Sequence, residues 1–389
     1  MQRTRRLFLL LACLSVPQLA TAEPESTQQV RFATFNIAMG LKSGGELLQR
    51  LQSGEDEALQ KVAAVIQQVR PDVLLLNEFD WSAHGSASLF INNYLEIPQF
   101  GHQGISYANS LTAEVNTGLD SGLDLNGNGV LAEAGDAWGF GQFPGQYGMV
   151  VLSRFPVKLD RSFQLFKWSD LPDAVQVLNM DGSSWYPHEI HNQLRLSSKS
   201  HWDIEVAIND QVVHYLVSHP TPPVFDGPED RNGARNHDEI RFWADYIDPV
   251  RAEYIYDDAG VKGGLQKGAN FIIAGDLNSD PVDGDSHGNA ISQLLDHSLI
   301  NSACVPASKG GVEASKNQAG MNLEHGGDPA FDTGDFNDRF TGNMRIDYVL
   351  PSVMLAVIDC GVFWPAADEP GHELIDVSDH HLVWLDIEI

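Results

Sequence analysis

Phe271-Ile272-Ile273-Ala274-Gly275-Asp276-Leu277-Asn278 sets four apolar residues in a row and then turns polar at a glycine. The run is too short for a helix and lacks polar alternation, so it predicts a strand buried on both faces that ends at Asp276. Upstream, Val73 to Leu76 has the same form and delivers Asn77 and Glu78 to its C-terminal end. Between them, Val212 to Ser218 predicts another strand, closed by His219-Pro220. Further strands are expected at Val30 to Asn36, Gly148 to Ser153, Ile204 to Ile208, Ile346 to Leu350 and Leu382 to Ile387. Apolar residues recur at helical spacing from Ala58 to Val69, where Arg70-Pro71 stops them, and again over Ile240 to Ile247 and from Ile291 to Leu295. Short buried strands among helices predict an α/β protein: two mixed β-sheets packed face to face with helices on the outside, a four-layer α/β sandwich.

The chain has 389 residues, 43% of them hydrophobic and 20% charged, enough to bury a large core. Its N-terminus carries three Arg, an apolar run from Leu7 to Val16 too short to span a bilayer, and Ala20-Thr21-Ala22 before Glu23. That pattern predicts a signal peptide over residues 1–22, cleaved near Ala22, with a buried N-terminal helix as the competing reading. Leu10-Leu11-Ala12-Cys13 loosely resembles a lipoprotein box, but would leave a very short apolar region. No second stretch is long enough to cross a membrane. Residues 23–389 are expected to form one domain, a monomer that is secreted or periplasmic. Long excursions interrupt it near 112–146, 160–203 and 308–343, where Gly, Asn, Asp and polar or aromatic residues replace any apolar period.

Removing residues 1–22 takes away three Arg and no acid, so the formal charge moves from −29 to −32. A protein that grips long nucleic acid through its phosphates needs a basic stripe, and none is visible, so long duplex substrates are disfavoured. With Cys13 in the leader, Cys304 and Cys360 remain. An even pair in an exported chain favours a disulfide, the alternative being two buried thiols.

The strand ends carry the chemistry. Glu78, His219 and Asp276 follow three apolar strands, while Arg345-Ile346-Asp347 and Ser378-Asp379-His380 precede two others. If the latter two run antiparallel to the former, all five sets reach one rim. Carboxylates with an amide, no Cys and few His suit a hard cation such as Mg²⁺, or Mn²⁺, rather than zinc.

These residues, with Phe35-Asn36, Leu76-Asn77-Glu78, His219-Pro220-Thr221, Gly275-Asp276-Leu277-Asn278, Arg345-Ile346-Asp347-Tyr348 and Ser378-Asp379-His380 in that order, resemble the motif set of the endonuclease/exonuclease/phosphatase, or deoxyribonuclease I-like, superfamily. The resemblance runs from about residue 30 to the C-terminus. It implies that Glu78 is the principal metal ligand, with Asn36 and Asp379 beside it. Asp276 and Asn278 would orient or activate the attacking water and hold the phosphate, His380 would pair with Asp347, and His219 would contact the phosphate or protonate the leaving oxygen. The function implied is an exported, divalent-metal-dependent phosphoesterase, a phosphodiesterase or nuclease. The alternative is a phosphomonoesterase or phospholipase-type hydrolase acting on a small phosphorylated metabolite or lipid head group.

Candidate cations for the phosphate-ester substrate are Arg154, Arg235 and Arg345, with Arg231, His188, His191 and His237 also in polar stretches. The segment Asp226 to Asp238 follows the His219 motif and should lie near the site mouth. Asp124, Asn126 and Asn128, with Gly129, begin like an EF-hand loop, but Gly135 stands where its closing Glu belongs. A structural Ca²⁺ and a plain Asn/Gly turn are both open there.

Overall fold

The computed structural model describes residues 27–82 and 85–389, so the expected signal peptide and Cys13 lie outside the described residues. In chain order the strands are β1 (Gln29–Met39), β2 (Val73–Phe79), β3 (Asn109–Leu111), β4 (Met149–Ser153), β5 (Val157–Ser162), β6 (His201–Ile208) and β7 (Gln211–Ser218). They continue as β8 (Asn270–Asp276), β9 (Gly334–Asp335), β10 (Asn343–Met344), β11 (Asp347–Pro351), β12 (Ala356–Val362) and β13 (Val383–Glu388). One sheet has six strands in the order β12-β13-β1-β2-β4-β3, and the other has five in the order β11-β8-β7-β6-β5. Each is mixed: β1 with β2, and β7 with β8, are parallel, and the remaining pairs are antiparallel.

The unbroken apolar runs have a simple cause. Successive side chains of a strand point to opposite faces. In β2, Val73 and Leu75 face the other sheet, where they meet Trp202, Tyr215 and Ile272, while Leu74 and Leu76 face the helix Glu57–Val69. In β8, Ile272 and Ala274 join that same inter-sheet core, while Phe271 and Ile273 pack on the helix Arg231–Tyr246. Both faces are covered, so no position can be polar until the strand leaves the core. Helix, sheet, sheet, helix is the expected four-layer sandwich, and each fully buried Leu or Val contributes about 1.5–3 kcal/mol.

The helix Glu57–Val69 begins where the Asp56 carboxylate accepts the Leu59 N–H at 3.0 Å, and it ends at Arg70, whose φ of 57° turns the chain before Pro71. The helix Arg231–Tyr246 starts well before the expected Ile240. Its first half shows no apolar period because Arg235 and Asn236 there satisfy loop carbonyls instead of packing on the sheet. Two expected excursions also hold structure: β5 runs into the second, and the helix Lys309–Gln318 opens the third. The edge strand β12 is exposed or half-buried as far as Cys360, and the apolar run Val353 to Ile358 overlaps it only at its start before Asp359 breaks it. It carries Cys360, which is bonded to Cys304 as expected, with Cα atoms 6.2 Å apart. Among the described residues no helix is long and apolar enough to cross a membrane.

Candidate active site

Six strands converge on one rim. Asp276 ends β8 and faces Asp347, the first residue of the antiparallel β11, as its register partner. His219 follows β7, which runs parallel to β8. Asn36 in β1 pairs with Asn77 in the parallel β2, beside Glu78, and His380 enters from just before β13. Gly275 is required between β7 and β8, because a Cβ there would meet the Ser218 carbonyl oxygen at 2.0 Å. Glu78 and Asn278 take left-handed backbones, with φ of 55° and 52°. Non-glycine residues reach that region at a cost of about 1–2 kcal/mol, and here it swings both side chains toward the rim.

Asp276 is the hub. Its Oδ2 lies 3.0 Å from Asn36 Nδ2, 3.3 Å from His219 Nε2 and 3.7 Å from His380 Nε2. Its Oδ1 accepts the Asn278 N–H at 3.0 Å. On the far side of the His380 ring, Nδ1 is 2.9 Å from Asp347 Oδ2. Thr333 fixes that carboxylate by donating to Oδ2 at 2.8 Å, and its hydroxyl accepts the Ile346 and Asp347 N–H groups at 3.0 Å. Asn36 Nδ2 also lies 3.3 Å from Glu78 Oε1, and Ser378 donates to the Asn36 carbonyl at 2.8 Å. The Phe336 ring stands edge-on to His380 with centroids 5.4 Å apart.

The charges follow from this geometry. Burial alone would raise the Asp276 carboxyl, but His380, His219 and the Asn36 amide hold it well below the usual carboxylate range. Burial also opposes charge on His380, yet Asp347 and Asp276 outweigh it and lift the imidazole well above the ordinary histidine range. Burial pushes Asp347 up while His380 pulls it down. We assign the shared proton to the imidazole, because Asp276 adds a second negative charge on its other side. Burial, with Lys199 adding to it, lowers His219, leaving a neutral ring.

Asp276, Asp347 and His380 each offer a ligand atom within 4.8 Å of the others, the one such group of His, Cys, Asp and Glu side chains among the described residues. Both His380 nitrogens already face carboxylates, however, which suits a proton-holding dyad better than a metal ligand. The oxygen donors of Asn36 and half-buried Glu78 fit a hard divalent cation by chemistry. Asp379 is exposed at the rim, and its carbonyl accepts the Asp335 N–H at 2.7 Å.

The arginines divide. Arg154 pairs with Asp72 at the opposite end of β2 from Glu78, so the structure does not bring it to the rim. Arg235 spends its guanidinium on the Leu196, Trp138 and Arg195 carbonyls. Arg345 stays at the rim, over the Tyr348 ring, two residues before Asp347. Arg231 pairs with Glu229 beside Trp185. Residues 226–238 do border the site, since Asn236 Nδ2 donates to the Thr221 and Leu277 carbonyls. In the Asp124 loop, Asp124, Asn126 and Asn128 each accept amides of their own turn. Thr333, Phe336 and Lys199 escaped sequence reasoning: all three lie in aperiodic excursions, where no spacing marks one polar or aromatic residue above its neighbours.

A hub carboxylate, a cationic imidazole, a neutral imidazole and oxygen donors for a hard cation, all at one rim of a mixed two-sheet sandwich, define a hydrolytic site for an anionic substrate. The chain belongs to the Endonuclease/Exonuclease/phosphatase family, whose sequence model matches residues 33–380. It is accordingly a metal-dependent phosphoric ester hydrolase, the enzyme class of that family. Among solved structures it is similar to an endonuclease/exonuclease/phosphatase from Beutenbergia cavernae, with 18% identity, a TM-score of 0.48 and 93% of this chain and 72% of that one covered. It is likewise similar to sphingomyelinase C from Streptomyces griseocarneus, with 15% identity, a TM-score of 0.49 and coverage of 92% and 99%. A mutant beta toxin from Staphylococcus aureus, solved with bound magnesium ions, matches at 14% identity with a TM-score of 0.44 and coverage of 92% and 99%. No curated protein matches the chain.

Proposed function

We propose that this protein is an exported, monomeric, Mg²⁺-dependent phosphodiesterase that cleaves its ester by in-line attack of water. The observation that carries the reading is the line Asp347–His380–Asp276, one imidazolium held between two buried carboxylates, with Asn36 and Glu78 alongside. Glu78 and Asn36, with Asp379 beside them, would hold the cation, which when bound supplies Lewis-acid stabilisation of the phosphoryl oxygens. Asp276, kept ionised, orients the attacking water and accepts its hydrogen bond. His380, kept protonated and fixed by Asp347, presents Nε2–H to the phosphoryl group as negative charge develops. His219, neutral, donates from Nε2 toward the phosphoryl or leaving oxygen, and Asn278 supports the same oxygens.

The formal charge of −29 supports a diester in a small molecule or head group over long duplex DNA. The protein would be assayed with Mg²⁺, Mn²⁺ and Ca²⁺ on a chromogenic phosphodiester, the matching monoester, plasmid DNA and phospholipid vesicles. Ca²⁺ serves twice, because the donor spacing at Asp124, Asn126 and Asn128 supports a structural Ca²⁺ there. Diester cleavage with Mg²⁺, abolished by chelator and reduced roughly a thousandfold in Glu78→Gln, is expected. Faster cleavage of the monoester would favour the phosphomonoesterase reading, and turnover indifferent to chelator would overturn both. Exported protein should begin at Glu23.

A further inference from the structure

Lys199 lies in the turn that leads into β6 and is 6% exposed. The first residue of β6, His201, pairs with Ser218 at the end of β7, so the backbone at Lys199 runs alongside His219-Pro220. Its carbonyl accepts the Asn116 N–H at 2.8 Å. Among the described residues its ammonium makes no hydrogen bond and no ion pair within 4.0 Å, although it is not sealed from solvent. A buried cation left without a partner is costly, and folds retain one where an anion is to be received. Burial lowers its pKa, against which Glu239, Glu78 and Asp276 pull it up, and after burial its charge is the next cause that lowers His219, so it shares one electrostatic field with the rim beside which its backbone runs.

The acid whose charge acts on it most strongly, Glu239, forms no ion pair with it. Glu239, on the helix Arg231–Tyr246 and 1% exposed, accepts the Ser198 N–H on Oε1 and the Thr221 N–H on Oε2, both at 2.6 Å. Its carbonyl lies 2.9 Å from His201 Nε2. One carboxylate therefore ties the turn carrying Lys199 to the turn carrying His219, each oxygen accepting one backbone amide. Ser198 adds a 3.4 Å hydrogen bond to the His219 carbonyl. The two donors are held as one unit against the hub, on a rim where Glu78, Asp276, Asp347 and Asp379 would otherwise set four carboxylates against a phosphate.

We propose that Lys199 is the substrate-binding cation of this site, its ammonium receiving a non-bridging phosphoryl oxygen, and that Glu239 is the positioning residue that keeps Lys199 and His219 on the same side of that group. The inference rests on the phosphoesterase reading.

Lys199→Met, Lys199→Arg and Glu239→Gln would be compared with the parent for KM and kcat on the phosphodiester, inhibition by inorganic phosphate, and Mg²⁺ half-saturation. A charged hydrogen bond to phosphate corresponds to roughly 10–100-fold in affinity. Lys199→Met should raise KM and the inhibition constant for phosphate by about that factor and leave Mg²⁺ half-saturation within about twofold. Lys199→Arg should recover most of the loss. Glu239→Gln, which gives up one of the two amide bonds, should raise KM less and lower kcat as well, through His219. Unchanged phosphate inhibition in Lys199→Met, or a loss of Mg²⁺ affinity as large as that of phosphate, would overturn the assignment. If Lys199→Met does not fold, an arginine variant that folds but binds phosphate no better than Glu239→Gln does so equally. If the parent hydrolyses no phosphate ester, the functional reading fails, while calorimetric phosphate binding by parent and Lys199 variants still decides the role of the lysine.

Discussion

At the scale of residues, the dyad makes a sharp demand on kinetics. His380→Ala removes the donor and should lower turnover by roughly 10³-fold with little change in Mg²⁺ half-saturation. Asp347→Asn keeps a side chain on Nδ1 and should cost less, because it disturbs the orientation and charge of the ring without removing it. The double variant should be far from additive, since both substitutions disable one unit. Near-normal turnover of His380→Ala at saturating Mg²⁺ would show that the proton-holding site lies elsewhere. These residues were legible in the sequence because each stands just before an apolar stretch, Tyr348 to Leu350 for Asp347 and Leu382 to Leu385 for His380, so the polar group falls at the rim. Lys199 and Thr333 were not. Their placement depends on tertiary pairing, that of Lys199 through the bond of its neighbour Ser198 to Glu239 and that of Thr333 through Asp347, and pairing across 41 and 14 positions leaves no local pattern.

At the scale of elements, the strands were read more accurately than the helices for a physical reason. The covered strands β2 and β8 are apolar at every position up to the rim from Val73 and Phe271 on, whereas the helix Arg231–Tyr246 uses its first two turns to satisfy loop carbonyls and keeps no apolar stripe there. The third excursion was likewise opaque: the helix Lys309–Gln318 contains Gly310 and Gly311, poor helix formers that pack against the Trp364 and Pro329 carbonyls. The Cys304–Cys360 bond closes 56 residues around this helix and joins its approach to the exposed edge strand β12. By loop-closure entropy such a bond is worth about 4 kcal/mol. The Cys304→Ser, Cys360→Ser double variant should therefore melt well below the parent, while the two sheets keep their far-ultraviolet signal at low temperature. Thiol titration of unreduced, denatured protein should find none of the two sulfhydryls free, and two free thiols would contradict the bond.

At the scale of the whole molecule, the buried titratable groups set a response to acid that no single strand predicts. Burial pulls His201 down to about 4 and, with His380 adding to it, His381 down to about 3. Unfolded histidines titrate near 6.5, so between that value and the folded ones the unfolded chain binds more protons. The stability these two contribute is therefore present above pH 6.5 and drains away as the pH falls toward 4 and 3. Burial raises Asp80 to about 7 and Asp332 to about 8, and these act in the opposite sense, taking up protons in the folded state as pH falls. The total profile mixes both signs and cannot identify its sources, but a difference can. His381 stacks on Trp364 with centroids 3.8 Å apart, and its buried Nε2 has no hydrogen-bond partner. His381→Phe keeps an aromatic ring on Trp364, removes the unsatisfied nitrogen and removes the titration. The variant should match or modestly exceed the parent at pH 7.5, and its advantage should widen by on the order of 2–3 kcal/mol by pH 4.5 in urea unfolding. A gap that stays constant across that range would mean that His381 is not held neutral in the fold.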